Sequence, residues 1–220
     1  MSGADGVVEP GALVIFGELH GTDQIPAFVG DVAVAAARKG RVHVGLELPV
    51  GDEPGKTALW HGPAQYGVSS RAMLGLIERL RAAGIDVYFF DDRSLGMDHR
   101  DETMAAAIAR HRALAPGDIH LVLVGNYHAR KAIGAPWDPQ KRWMASYLAG
   151  PRVVTLDVSY PSATVWSCLQ TATGQDCGIH ELKKSASASP RGIVLQPNPE
   201  LGFDGTYSAG PLTASLPAFP

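Results

Sequence analysis

Side chains that can carry out acid–base or metal chemistry stand at the ends of four apolar runs of the sequence. Each run ends in, or leads into, a short set that contains a histidine or a carboxylate. The four sets are Gly17-Glu18-Leu19-His20, Glu47-Leu48-Pro49, Asp91-Asp92-Arg93 and Gly125-Asn126-Tyr127-His128. Imidazole nitrogen and carboxylate oxygen bind divalent metals, and both groups can also accept a proton from water. The sets therefore predict either a metal site or an acid–base site.

Both chemistries remain open at this point. A metal with ligands drawn from His20, Glu47, His128 and Glu18 would lower the pKa of a bound water, and a carboxylate left over, Glu18 or Glu47, would take the proton. The expected ion is divalent Mn, Zn, Co or Fe. Without a metal, His20 held by Glu47 or Asp91 would activate water directly for ester cleavage.

Several other chemistries lack their motifs in this sequence. There is no Gly-x-Ser-x-Gly elbow for a serine nucleophile, and both cysteines lie late in the chain, in a polar region. Neither the P-loop pattern nor Gly-x-Gly-x-x-Gly after a strand occurs, which argues against a nucleotide cofactor. His-Glu-x-x-His and Cys-x-x-Cys are also absent, so the common zinc-protease and zinc-finger patterns are excluded.

The elements that must position the four sets alternate between strand and helix. Apolar runs predict strands at 12–16, 42–48, 86–90, 119–124 and 152–158. Apolar stripes, caps and terminating glycines predict helices at 26–39, 69–83, 101–113 and 140–148. This alternation predicts an α/β fold whose central, mostly parallel sheet is covered by helices on both faces. Residues 1–182 are expected to form this single domain, and the Ser-, Pro- and Gly-rich segment 183–220 an irregular C-terminal tail that wraps or extends it.

A parallel sheet would bring the four sets to one edge, because ligands in such folds bind beyond the carboxyl ends of the strands. The main catalytic candidates are Glu18, His20, Glu47 and His128. A second group of catalytic candidates consists of Asp91, Arg93 and Asn126. Four further residues are weaker candidates: Arg71 as a carboxylate-binding or surface residue, Asp101 as a helix cap, Trp60 as a pocket or packing residue, and His99.

Composition fits a folded domain. Of the 220 residues, 45% are hydrophobic, and 25 Gly and 16 Pro indicate many turns. A net charge of −3 argues against a general nucleic-acid binder. No apolar stretch approaches the ~20 residues of a membrane span, and no signal peptide is visible at the given N-terminus. Cys168 and Cys177 are either two free thiols or a short-loop disulfide, so the compartment is periplasmic or secreted if they are linked and cytoplasmic if not.

The strand-end sets resemble those of a superfamily that joins the erythromycin esterases, the ChaN-type haem-binding lipoproteins and the Tiki/TraB proteins. The matching residues are Gly17-Glu18-Leu19-His20, then Glu47, then Gly125-Asn126-Tyr127-His128. Arg100-Asp101 followed by Met104-Ala105 looks like the helix start of ChaN-like members, which the chain resembles most. The resemblance covers about residues 12–160 and implies a bacterial α/β protein with its site at the strand ends.

Each branch of this superfamily implies a different role for the residues. Tiki-like members imply a metal-dependent peptidase with His20, His128 and Glu47 at the metal. Esterase-like members imply His20 as general base beside Glu18, although the esterase motif Gly-Glu-x-x-His-Gly places one more residue between the two. ChaN-like members imply haem bound by His and Tyr at a homodimer interface. The tyrosines considered for that role are Tyr66, Tyr88, Tyr127 and Tyr147.

The resulting hypothesis is a metal-assisted hydrolase that cleaves an amide or ester in a peptide or small molecule. The alternative is a haem- or metal-binding protein without catalysis. The two differ in their visible spectra, since haem gives a Soret band and a zinc hydrolase does not.

Overall fold

A computed structural model describes Gly3 and residues 6–61, 67–172, 174–183 and 190–219. The first part of the chain alternates strand and helix, and the last part is mostly strand. The elements are β1 (Leu13–Glu18), α1 (Gln24–Ala36), β2 (Val42–Pro49), α2 (Arg71–Ala82), β3 (Asp86–Asp91), α3 (Arg100–Leu114), β4 (Ile119–Gly125), α4 (Met144–Leu148), β5 (Val153–Val158), β6 (Ala163–Thr171), β7 (Gly174–Leu182), β8 (Gly192–Val194) and β9 (Gly205–Ser208). No helix among the described residues is long and apolar enough to cross a membrane.

The described residues form a seven-stranded sheet in the order β3-β2-β4-β1-β5-β9-β8. Neighbours from β3 to β9 run parallel, and β8 is antiparallel to β9 at the edge. The predicted fold class, a mostly parallel sheet flanked by helices, is confirmed.

The central strands are buried on both sides, which explains their near-continuous apolar sequences. In β1, Val14 and Phe16 belong to the core beneath α1 and α2. Leu13 and Ile15 point the other way, into the core beneath α3 and α4. Because side chains alternate along a strand, the positions of such a strand face one core or the other and are mostly apolar. In β1 and β2 the acidic residues Glu18 and Glu47 come only toward the carboxyl ends.

The connections that follow two neighbouring strands leave toward opposite faces of the sheet. β1 leads to α1, which packs on one core, and β4 leads to α4, which packs on the other. Because these connections separate to the two faces at the boundary of β1 and β4, a crevice opens there. This is the place that receives Glu18 and His20 from one strand and Gly125 to His128 from the other.

Part of the segment expected to be an irregular tail is ordered as strand. β8 and β9 extend the main sheet, and single bridges pair Ala214 with Thr22 and Pro217 with Ser70. The described part of 183–220 thus extends the domain by two strands and then wraps across it.

A separate two-stranded hairpin, β6–β7, precedes that segment. Its antiparallel register places Cys168 opposite Cys177, and the two form a disulfide. The hairpin is largely exposed, so its strands lack the apolar runs that revealed the others. The predicted helix at 140–148 is also shorter, since only Met144–Leu148 is helical.

Candidate functional site

His20 lies at the carboxyl end of β1 between two carboxylates. Its Nδ1 is hydrogen-bonded to Glu18 Oε1, and its Nε2 faces Glu47 Oε2 at 3.5 Å. Glu18 is the last residue of β1 and Glu47 is near the end of β2, so the two strand ends supply the two acids. The carboxylate side chains are almost fully buried, whereas 32% of the His20 side chain is exposed. Both ring nitrogens therefore face buried carboxylates, while part of the ring is accessible to solvent.

This environment changes the protonation of His20. Burial lowers the pKa of the imidazole, but the charges and hydrogen bonds of Glu18 and Glu47 raise it more, to about 10. Burial likewise raises the pKa of Glu47, but His20, His128 and Arg100 together bring it well below its usual range. At neutral pH the pair is an imidazolium facing a carboxylate.

Arg100, at the start of α3, contacts side chains from three strand ends. Its Nη2 donates to Glu47 Oε1 at 2.5 Å and its Nε donates to Asp91 Oδ1 at 2.7 Å. Its Nη1 lies 3.1 Å from His128 Nε2. The second oxygen of Glu47 accepts the backbone N–H of Gly125 at 2.6 Å. Both oxygens of Glu47 are therefore occupied, and the buried acids are compensated by one guanidinium.

His128 is oriented from its far side by Asp101. Its Nδ1 lies 2.6 Å from Asp101 Oδ1, which also accepts the backbone N–H of Met144, and Lys141 Nζ donates to Asp101 Oδ2. Since Arg100 can only donate, Nε2 of His128 is the acceptor and Nδ1 carries the proton. The expectation that Asp101 caps α3 is wrong, because its side chain holds His128 instead.

A metal ion does not fit among the four predicted ligands as they are placed. The Arg100 guanidinium contacts Glu47 and His128 where a shared cation would have to lie. Within the described part of the chain, three ligand side chains bring their atoms within 4.8 Å of one another at a different place, formed by His43, Asp86 and His111. A role of Glu18, His20, Glu47 and His128 as metal ligands remains a prediction.

A cleft of about 510 Å³ opens above His20 and His128. Tyr127 and Arg130 line its wall, with the guanidinium 4.3 Å from the centre of the Tyr127 ring. Asn126 also lines the cleft; it hydrogen-bonds to half-buried Asp157, whose pKa is raised by partial burial. The cleft thus offers cationic, aromatic and amide groups beside the histidine.

The structure places several other candidates away from the cleft lining. Arg71 donates to the carbonyl of Pro217, so it anchors the C-terminal segment. Trp60 is fully buried and donates to Asp52, which makes it a packing residue. His99 is exposed beside Glu102. Arg93 belongs to the network only through Asp91, to which it donates two hydrogen bonds.

The tyrosines considered for haem are scattered. Tyr127 lines the cleft, whereas Tyr88 stacks on His111 and Tyr147 packs under Arg142. Tyr66 lies outside the described residues. A haem site stays a prediction.

Three cations of the site were not among the residues chosen from the sequence as catalytic candidates: Arg100, Arg130 and Lys141. Arg100 carried a signal, since it opens the Arg100-Asp101 pair of the resemblance. Lys141 and Arg130 are on irregular segments where no pattern selects one basic residue over another.

Comparison with known proteins shows the fold. No family model matches the chain, and no curated protein matches its sequence. Among solved structures, a protein from Bacillus cereus has a TM-score of 0.60 at 11% identity and covers 98% of this chain and 91% of its own. A succinoglycan biosynthesis protein has a TM-score of 0.58 at 10% identity, covering 97% and 90%. A mutant of erythromycin esterase EreC in its open conformation has a TM-score of 0.56 at 11% identity, covering 78% and 76%. The chain therefore shares the fold of erythromycin esterase EreC and of these two proteins.

Proposed function

We propose that the protein is a hydrolase that cleaves an ester or amide, with His20 as the residue that moves the proton. The observation that carries this proposal is the position of His20, which is held between two buried carboxylates and is partly exposed at the cleft. A histidine whose ring is held by carboxylates and is partly exposed to a cleft is suited to repeated proton transfer without loss of orientation. The shared fold with an esterase is consistent with it.

The reaction begins with neutral His20. Its Nε2 takes a proton from a water molecule while the water oxygen bonds to the substrate carbonyl carbon. Glu18, at Nδ1, fixes the ring and stabilises the imidazolium that forms. The carbon–oxygen or carbon–nitrogen bond then breaks, and the imidazolium returns its proton to the departing alkoxide or amine.

The other residues position this pair and the substrate. Arg100 holds Glu47 and Asp91, and Asp101 holds His128 at the back of the cleft. Arg130 and Tyr127 are placed to contact the substrate, with Arg130 favouring an anionic group. The small cleft fits a compact or extended substrate, such as a small ester or a peptide.

Hydrolysis of p-nitrophenyl acetate, p-nitrophenyl butyrate and a peptide p-nitroanilide tests the proposal. We expect wild-type protein to cleave at least one, and His20→Gln to reduce kcat/KM by about 10²–10⁴-fold. His61→Gln is the matched control, because His61 is an exposed loop histidine bonded to the Gly55 carbonyl. Retention of activity by His20→Gln within threefold of wild type would overturn the assignment.

Two further arms of this experiment address the cofactor expectations. Loss of activity after chelation and its return with Zn²⁺ or Mn²⁺ would establish the metal-assisted mechanism instead of the metal-free one. A Soret band in freshly purified protein, without hydrolysis, would establish the haem-binding alternative.

We also propose that the protein works in an oxidising compartment, outside the cytoplasm. The disulfide between Cys168 and Cys177 supports this, since such bonds persist mainly in exported proteins. Thiol titration of protein isolated from its native host, denatured without reductant, should find no free thiol. Two titratable thiols would contradict the proposal.

A further inference from the structure

A second histidine cluster lies at the opposite, amino-terminal edge of the sheet. His43 is the second residue of β2, Asp86 is the first residue of β3, and the register pairs the two directly. His111, near the end of α3, closes the group from one face. Glu47 is four positions after His43 along β2, so the cluster is about 13 Å from the cleft site.

Three ligand atoms of this cluster point at one another. His43 Nδ1 lies 2.8 Å from Asp86 Oδ2, His111 Nε2 lies 3.0 Å from the same oxygen, and the two nitrogens are 3.3 Å apart. Ligands at 2.0–2.1 Å from a tetrahedral zinc ion are about 3.3 Å from one another. The triangle is thus nearly the size of one face of such a site, and an ion needs outward shifts of only a few tenths of an ångström.

The surroundings of His43 match those of a metal-bound histidine. Its other nitrogen, Nε2, lies 2.9 Å from Asp118 Oδ2. A carboxylate on the far nitrogen fixes the tautomer that presents Nδ1 to the ion and strengthens that ligand. His120 stacks on the ring with a centroid distance of 4.8 Å, which also holds its plane.

His111 is equally prepared. Its ring stacks on Tyr88 at a centroid distance of 3.7 Å, so its orientation is fixed. Asp86 has 49% of its side chain exposed and His111 23%, so an ion and a water molecule can reach the group from solvent.

We propose that His43, Asp86 and His111 bind a divalent transition metal of the zinc class, with water in the fourth position. Imidazole and carboxylate groups bind a metal in their deprotonated forms, so binding should weaken as the pH falls. The proposal does not depend on the hydrolase function, since the two sites use different residues at opposite edges of the sheet.

Titration of the metal-free full chain with Co²⁺, followed by visible absorption, and with Zn²⁺, followed by calorimetry, tests the site. We expect one equivalent to bind, with the intense bands of four-coordinate Co²⁺. His111→Gln and Asp86→Asn should each weaken binding by at least about 100-fold, since each removes a ligand. Both side chains are partly exposed, so circular dichroism should show that the variants remain folded.

His20→Gln and His61→Gln are the controls that locate the ion. We expect both to bind the metal as tightly as wild type. Unchanged affinity in His111→Gln or Asp86→Asn, loss of binding in His20→Gln, or absence of binding by wild type would each overturn the proposal.

Discussion

The two edges of the sheet each hold a histidine between two carboxylates, but burial is distributed in opposite ways. At the carboxyl edge the acids Glu18 and Glu47 are buried, with 3% and 5% of their side chains exposed, and His20 is the open member. At the amino edge His43 is buried, with 10% exposed, and Asp86 and Asp118 face solvent. The first arrangement exposes an imidazole that can exchange a proton, whereas the second exposes carboxylate groups that can bind a metal ion.

The compensating charge also differs between the edges. Arg100 stands among the buried acids of the carboxyl edge and bonds to Glu47 and Asp91. At the amino edge, the described contacts of Asp86 and Asp118 are to histidines rather than to a lysine or arginine. A permanent cation neutralises the buried acids of the carboxyl edge, whereas the acids of the amino edge are partly exposed and are paired with histidines. Similar residue types can thus serve acid–base chemistry or metal binding according to what neutralises them.

Removal of the permanent cation should have the largest effect. Arg100→Met removes the buried cation that Glu47 and Asp91 share, and loss of one member of a buried ion pair costs about 3–5 kcal/mol. We expect the free energy of unfolding, measured by urea denaturation near pH 7, to fall by about that amount.

Arg93→Met is the matched control, because Arg93 binds the same Asp91 but has 56% of its side chain exposed. An exposed pair contributes about 0–1 kcal/mol, so this variant should be nearly as stable as wild type. Equal losses from the two substitutions would show that Arg100 has no special role in compensating the buried acids.

Crowding of the His20–Glu47 pair should have the next largest effect. A methyl group at Gly125 would lie 2.8 Å from His20 Nε2 and 3.3 Å from Glu47 Oε2. We expect Gly125→Ala to reduce kcat/KM by about 10²-fold, since small displacements of a catalytic group cost rates of this order. Gly75→Ala, an open position on α2, should retain full activity, and an equal loss there would contradict this explanation.

The pH dependence of kcat/KM should show how the buried carboxylates raise the pKa of His20. Because the pKa of His20 is raised to about 10, the neutral base is scarce at pH 7, and kcat/KM should rise with pH until about 10. Glu18→Gln removes a charge that raises this pKa, so the inflection should move at least about one unit toward the ordinary histidine value of ~6.5. A wild-type rate that is flat from pH 7 to 10 would exclude His20 as the base.

The carboxyl edge was largely predictable from the sequence, for a physical reason. Strands buried on both faces are mostly apolar along their length. The polar residues at their carboxyl ends, Glu18, Glu47, Asp91 and Asn126, can therefore be recognised in the sequence. Parallel strands then bring these ends together. The sequence does not show which way a long side chain extends. For this reason Arg100 and Lys141 were not predicted to be part of the site.

The amino edge was not predictable in the same way. His43 and Asp86 open their strands and meet only through the register between β2 and β3. His111 looks like one more residue on a helix face. The hairpin β6–β7 was not predicted for a related reason: only Ala163 and Val165 at its start are buried, so its strands carry no extended apolar pattern.

The smallest expected effect tests whether the histidine–carboxylate cluster at the amino edge is the metal site. Asp118→Asn keeps a polar partner at Nε2 of His43 but removes the carboxylate that strengthens Nδ1 as a ligand. If a metal binds, its affinity should fall by about 10-fold, within the range found for such outer partners. If the ion binds elsewhere, the substitution should leave the Zn²⁺ affinity unchanged. Calorimetric Zn²⁺ titrations of Asp118→Asn and wild type at one pH separate the two cases, because the three direct ligands are the same in both.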